Sequence, residues 1–165
     1  MTIIDCLVRA GASVCVASVG ISKEVVCSRG VKITADAFID ECKDFEWDLI
    51  ALPGGMPGAT HLRASTTLCD MLIAQNRHEK LLGAICASPA VVLECLGILK
   101  DAQATCYPAP RFRQVLPNFS EGKVVIDKHI VTSQGPATSM EFALALIRIL
   151  FGEEKCAALT KELLF

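Results

Sequence analysis

Nine residues near the middle of the chain, Leu81-Leu82-Gly83-Ala84-Ile85-Cys86-Ala87-Ser88-Pro89, carry an apolar run straight into a thiol, then small residues, then a helical pattern. This is the strand–nucleophile–helix order of serine hydrolases with sulfur in place of oxygen. The sharp turn needs small neighbours, and Ala84, Ala87 and Ser88 supply them. A helix starting just after the thiol would aim unpaired N–H groups and its positive dipole end at the sulfur, which favours thiolate. The plain alternative is a buried cysteine at a strand end. A second segment, Leu52-Pro53-Gly54-Gly55-Met56-Pro57-Gly58, puts glycines after another apolar run. The C-terminal ends of parallel strands are where open α/β sheets bind ligands. Backbone N–H groups free of side chains there can hold an oxyanion. An ordinary strand-to-helix turn reads the same way. A third segment, Thr132-Ser133-Gln134-Gly135-Pro136-Ala137-Thr138-Ser139, also follows a strand and precedes a helix. It could line the same crevice, or be a helix entry capped by Thr138 or Ser139.

The other chemically active side chains point less clearly. His61, His78 and His129 are scattered, and none is an obvious base for Cys86. Tyr107, the only tyrosine, stands between Cys106 and Pro108 as a pocket or core residue. Nine cysteines is an odd number, with no CxxC and no zinc spacing. The expectation is a reducing compartment, most cysteines acting as small apolar residues, no metal and no cofactor. No P-loop or GxGxxG supports a nucleotide. Sixteen Lys and Arg against eighteen Asp and Glu leave no basic footprint for nucleic acid. No apolar stretch reaches membrane-span length, and no signal-type start is present.

The elements that must position these groups alternate between short apolar runs and helical stretches, the pattern of an α/β protein with a largely parallel sheet. At 165 residues, 52% of them hydrophobic, one domain spanning 1–165 with a sizeable core is expected. Helices are predicted over residues 3–10 (with Gly11 as stop), 37–43, 66–77, 90–96, 139–150 and 153–164. Strands are predicted over 13–19, 48–52, 81–85, 123–126 and 129–132, with a short one at 104–106. Val25–Cys27 and Val31–Ile33 flank Ser28-Arg29-Gly30 as a hairpin or short crossover. The chain opens inside a helix with no strand before it, which is unusual for an α/β unit.

The three segments in this order resemble the ThiJ/PfpI superfamily. Cys27-Ser28-Arg29, Arg9-Ala10-Gly11 and Glu141-Phe142-Ala143-Leu144-Ala145 are similar, within it, to the branch of the parkinsonism-associated protein deglycase. The resemblance runs over essentially the whole chain. It implies a flavodoxin-like, class I glutamine amidotransferase-like α/β/α sandwich that here lacks its first strand. It also implies a homodimer in the cytoplasm and nucleus, with no membrane attachment. Cys86 matches the family's reactive cysteine, and Gly55 and Ala87, beside Gly54, match oxyanion N–H donors. Tyr107, Ser133, Gln134, Gly135 and Pro136 border the pocket, and Arg9 and Arg29 match arginines of an anion pocket at the dimer contact. The implied activity is glutathione-independent conversion of methylglyoxal, or removal of early glycation adducts. Redox-sensing or chaperone roles through Cys86 are the alternative, and an inactive homologue the third reading. Two departures stand out. Tyr107 occupies a position where close relatives carry histidine. The family's first strand and the glutamate after it would precede Met1, so no residue here matches the acid/base glutamate. Two neighbouring strands should then show unpaired edges, and turnover of methylglyoxal should be slow.

Overall fold

The computed structural model describes residues 1–165. Helix α1, Thr2–Ala10, buries Cys6, Leu7 and Ala10, spaced to share one helical face. Gly11 stops it at φ 100°, its N–H donating to the Val8 carbonyl while the next N–H, of Ala12, donates to the Leu7 carbonyl. Strand β1 (Ala17–Ser18), the hairpin β2 (Glu24–Val26) and β3 (Lys32–Thr34), strand β4 (Ala37–Phe38) and helix α2 (Ile39–Cys42) follow. Strand β5 (Leu49–Leu52) leads to helices α3 (Gly58–Ala64) and α4 (Thr66–Arg77), then strand β6 (Leu81–Ile85). After a helical segment over 89–96 come α5 (Pro110–Arg113), β7 (Val124–Asp127), β8 (Ile130–Ser133), α6 (Ser139–Phe151) and α7 (Glu153–Glu162).

The larger sheet has the order β5-β6-β8-β7, parallel except for β7 against β8. Strand β6 is central and buried on both faces, which explains its unbroken apolar sequence. Leu82 and Ala84 pack into a core with Leu72, Leu93 and Leu99. Leu81 and Ile85 join Phe142 and Leu146 of α6 on the other side. α1, α6 and α7 pack together through Leu7, Ile147 and Leu159. Helices thus cover both faces, the flavodoxin-like layering expected. Gly83 makes room for α6: a Cβ there would lie 3.0 Å from the Phe142 ring and 3.3 Å from Leu146. Gly83→Val is expected to cost about 1–3 kcal/mol by overpacking, read as a lowered urea midpoint with unchanged slope.

The strands form separate ladders. β1 pairs only with β4, in parallel, and no ladder joins β1 to β5. β5 bonds to β6 alone, so the backbone groups on its other side have no strand partner. β5 is half-exposed except at Leu52, whereas all of β6 is buried. These are the two unpaired edges expected from the sequence. Amide hydrogen exchange should register them: β6 amides should exchange slowest, and the outward β5 amides much faster. Equal protection of β5 and β6 would contradict this description.

Several expected elements are shorter or different. The strand foreseen over 13–19 contracts to Ala17–Ser18, because it finds a partner on one flank only. The helix foreseen over 37–43 yields its first two residues to β4 and keeps Ile39–Cys42. The helix foreseen over 90–96 is a π-turn, Pro89–Leu93, followed by a 3₁₀ turn, Glu94–Leu96, ended by Gly97 at φ 71°. The strand foreseen at 104–106 is a single bridge from Ala104 to Phe119. Helices α3 and α5, hidden behind Pro57-Gly58 and Pro110, were not foreseen. The remaining helices and the hairpin stand within a few residues of expectation.

Candidate active site

Cys86 follows the last residue of β6 and has φ 68°, in the left-handed region that a residue with a Cβ rarely adopts. Such a conformation costs about 1–3 kcal/mol and persists only when the surroundings enforce it. Two hydrogen bonds do so. The Cys86 N–H donates to the Ser133 carbonyl at 2.9 Å, and the Cys86 carbonyl accepts from the Tyr107 N–H at 2.7 Å. The thiol is half-buried, neither sealed in the core nor fully in solvent. The helical ladder begins at once, with the Val91 N–H donating to the Ala87 carbonyl at 2.9 Å.

The Gly-rich turn lies against this elbow. A Cβ on Gly54 would fall 2.3 Å from Cys86 Cβ, 2.8 Å from the Ile85 carbonyl oxygen and 3.1 Å from Cys86 Sγ. Only glycine fits there. The Ser88 hydroxyl, fully buried, donates to the Pro53 carbonyl and ties the two turns together. Gly55 sits at φ 95°, and its Cα faces Ser28 Oγ, 3.2 Å from where a Cβ would stand. The tip of the β2–β3 hairpin therefore reaches the same turn. Neither the Gly55 N–H nor the Ala87 N–H donates to a protein acceptor, so both are free for an oxygen bound near the thiol.

The other predicted residues divide. Tyr107 is partly exposed, with its ring over Gly135: a Cβ on Gly135 would meet the ring at 3.5 Å. Its edge packs on Phe112 at 6.3 Å between centroids. The Ser133 hydroxyl is buried and committed, bonding the Lys123 carbonyl at 2.9 Å and Thr138 Oγ1 at 2.6 Å. Ser133 thus serves the site through its carbonyl. Thr138 stands at the N-cap of α6, but its hydroxyl turns back to the Gly135 N–H at 3.0 Å instead of capping. Gln134 is directed away, donating to the Glu121 carbonyl at 3.0 Å. Pro136 is exposed and opens a 3₁₀ turn. Arg9 lies on α1, paired with Asp5 at 3.0 Å and Glu162 at 3.4 Å. The bond to Asp5 raises its already high pKa. Arg29 is exposed at the hairpin tip and pairs with no carboxylate in the chain. Ser88 and Ser28 are the supports that sequence reasoning missed. Ser88 was legible as a small residue in the elbow, but nothing local signals its bond to Pro53.

No side-chain carboxylate or imidazole is hydrogen-bonded to Cys86 Sγ; His129 instead pairs with Asn76 at 2.9 Å. Cys106 neighbours the site but is fully buried, which pushes its thiol up to about 11, with the approach of Cys86 adding a smaller push. It therefore stays protonated and inert at neutral pH. Limited iodoacetamide at about pH 8 should label Cys86 and spare Cys106; peptide mapping that found Cys106 labelled first would reverse that assignment.

An α/β fold with a cysteine on a strained strand–helix elbow, flanked by a glycine turn, defines a class of thiol-bearing sandwich proteins. Its sequence profile is that of the DJ-1/PfpI family, matched over residues 1–149, and the chain belongs to that family. The Arabidopsis thaliana protein DJ-1 homolog B is 46% identical over 164 residues, 99% of this chain and 37% of that relative. This chain thus spans well under half of that plant protein's length. The Caenorhabditis elegans glutathione-independent glyoxalase DJR-1.2 is 36% identical over 162 residues, 96% of this chain and 84% of the relative. The structure of oxidized DJ-1 from Toxoplasma gondii superposes with TM-score 0.96 at 44% identity, covering 99% of this chain and 89% of that one. No helix is long and apolar enough to cross a membrane.

Proposed function

We propose that the chain acts as a cysteine-dependent, glutathione-independent glyoxalase on methylglyoxal and related 2-oxoaldehydes or early glycation adducts. The observation that carries this is the strained Cys86 turn held against Gly54 with two unused N–H groups beside it. The named glyoxalase among its relatives supports the same chemistry. In this reading Cys86 sulfur adds to the aldehyde carbon, and the former carbonyl oxygen develops negative charge. The Gly55 and Ala87 N–H groups stabilise that oxygen. The hemithioacetal rearranges as a proton moves from the aldehyde carbon to the neighbouring carbon, giving a thioester. Water releases lactate and restores the thiol.

The proton transfer has no dedicated carrier among the groups bonded to the sulfur, so the reaction is slow in this chain. Tyr107 is a poor substitute, because a phenol is a weak base at neutral pH. In the same proposal a homodimer brings Arg9 and Arg29 together as an anion pocket, and the protein works in the cytoplasm and nucleus. The test is incubation with methylglyoxal without glutathione, lactate being followed by proton NMR. Lactate above the buffer rate supports the proposal. A stoichiometric adduct on Cys86 with no lactate overturns it. The second reading, a redox sensor, draws on the same half-exposed thiol and on the oxidized state in which the Toxoplasma gondii relative was solved. Peroxide should then add about 32 mass units, as a sulfinate, at Cys86 and at no other cysteine.

A further inference from the structure

Two cysteines outside the candidate site lie in contact. Cys15 Sγ and Cys42 Sγ are 3.9 Å apart. Cys15 lies two residues before β1, and Cys42 ends α2, which follows directly from β4. The parallel register of β1 and β4, Ala17 opposite Ala37 and Ser18 opposite Phe38, brings them together. One backbone and one side-chain bond beside that ladder hold the approach: Asp36 N–H to the Val16 carbonyl at 2.8 Å, and Val16 N–H to the Asp36 carboxylate at 2.8 Å. The Cys42 thiol donates to the Phe38 carbonyl at 3.5 Å, and the Cys42 carbonyl accepts from the Trp47 indole at 3.0 Å. Cys15 is exposed and Cys42 is 4% exposed.

We propose that Cys15 and Cys42 form a reversible disulfide when a hydroperoxide reaches the β1–β4 edge. The exposed Cys15 sulfur attacks the peroxide: an S–O bond forms, the O–O bond breaks, and water or an alcohol leaves. Cys42 sulfur then displaces the hydroxyl from the Cys15 sulfenic acid. The S–S bond forms, the S–O bond breaks, and the hydroxide departs as water with the Cys42 proton. Two thiols lose two electrons in all, and the peroxide gains them. The separation must shorten to the ~2.05 Å of a disulfide, and Cys15 is the exposed partner of the two. Burial and the neighbouring Cys15 thiol push Cys42 up to about 11, so the closing step quickens as pH rises.

The bond spans 27 positions of chain, a loop that contains the β2–β3 hairpin. The hairpin tip is the part that meets Gly55. Oxidation at the edge therefore restrains a segment that borders the Cys86 site without using Cys86.

The experiment treats the full chain, and separately Cys86→Ser, with one equivalent of hydrogen peroxide. Alkylation and non-reducing peptide mapping follow. The expected result is one linked peptide joining Cys15 to Cys42 in both proteins, ~2 mass units below the dithiol and reversed by a thiol reductant. Cys42→Ala should leave a Cys15 sulfenic acid that dimedone traps, and Cys15→Ser should remove the linkage. Both thiols recovered alkylated while other cysteines are oxidised would overturn the proposal, as would linkages spread among unrelated cysteines. Because the linkage is scored in the absence of Cys86, its failure is separate from any failure of the glyoxalase reading.

Discussion

Gly54→Ala is expected to silence Cys86 chemistry in a protein that still folds. A methyl at that position would overlap Cys86 Cβ at 2.3 Å and the Ile85 carbonyl at 2.8 Å. Neither is the loose end of a flexible side chain. The elbow must move, and its freedom is small, because the Cys86 N–H and carbonyl are fixed by Ser133 and Tyr107. A displacement near 1 Å of a nucleophile costs roughly 10²-fold in rate. The overpacking itself costs about 1–3 kcal/mol, a loss that an average domain survives. Gly55→Ala is the informative companion. There the clash is with the Ser28 hydroxyl at 3.2 Å, which can rotate, and the penalty is chiefly backbone strain at φ 95°. It should lower the melting temperature, and its loss of lactate formation should be smaller than that of Gly54→Ala. The measurement pairs thermal unfolding with single-turnover rates for both variants. Full activity in folded Gly54→Ala would remove the glycine turn from the account.

Much of this arrangement was legible in the sequence, and the reasons differ by element. β6 was readable to the residue, because burial on both faces forces an unbroken apolar run. α4 was equally plain, with Ser65 accepting the Leu68 N–H at its start and an amphipathic run behind it. The Cys86 elbow was readable because a left-handed turn before a helix demands small neighbours. The strand at 13–19 was over-read, since alternating Val and small residues look alike whether or not the neighbouring strand is present to pair. Local sequence does not record partners. For the same reason the Ser88–Pro53 bond, the Ser28–Gly55 contact and the Cys15–Cys42 pair were invisible: each joins segments that only the folded topology brings together. Ser133 and Gln134 were assigned to the pocket by position, but their side chains bond Lys123, Thr138 and Glu121 instead.

The second large effect concerns the open edge of β5. Appending to Met1 an apolar strand of about six residues and then a glutamate is expected to raise both stability and turnover. α1 starts at Thr2, so a preceding strand would enter a parallel βα unit. Its natural berth is the flank of β5 that carries no strand partner. A strand running parallel to β5 ends level with Leu52 and Pro53, beside Gly54 and hence beside Cys86 Sγ. A carboxylate there can carry the proton between the two substrate carbons, a contribution worth ~10²–10⁴-fold. The added strand also buries aliphatic side chains at ~1.5–3 kcal/mol each and pairs the free β5 backbone. The two effects separate cleanly in a matched extension with glutamine in place of glutamate. Glutamine keeps the strand, the burial and most hydrogen bonding, but it cannot accept and return a proton. It should match the glutamate version in melting temperature and fall back to the slow rate in lactate formation. Equal rates for the two extensions would mean that the proton reaches the second carbon by another route, through solvent or through a group that the Cys86 turn already presents.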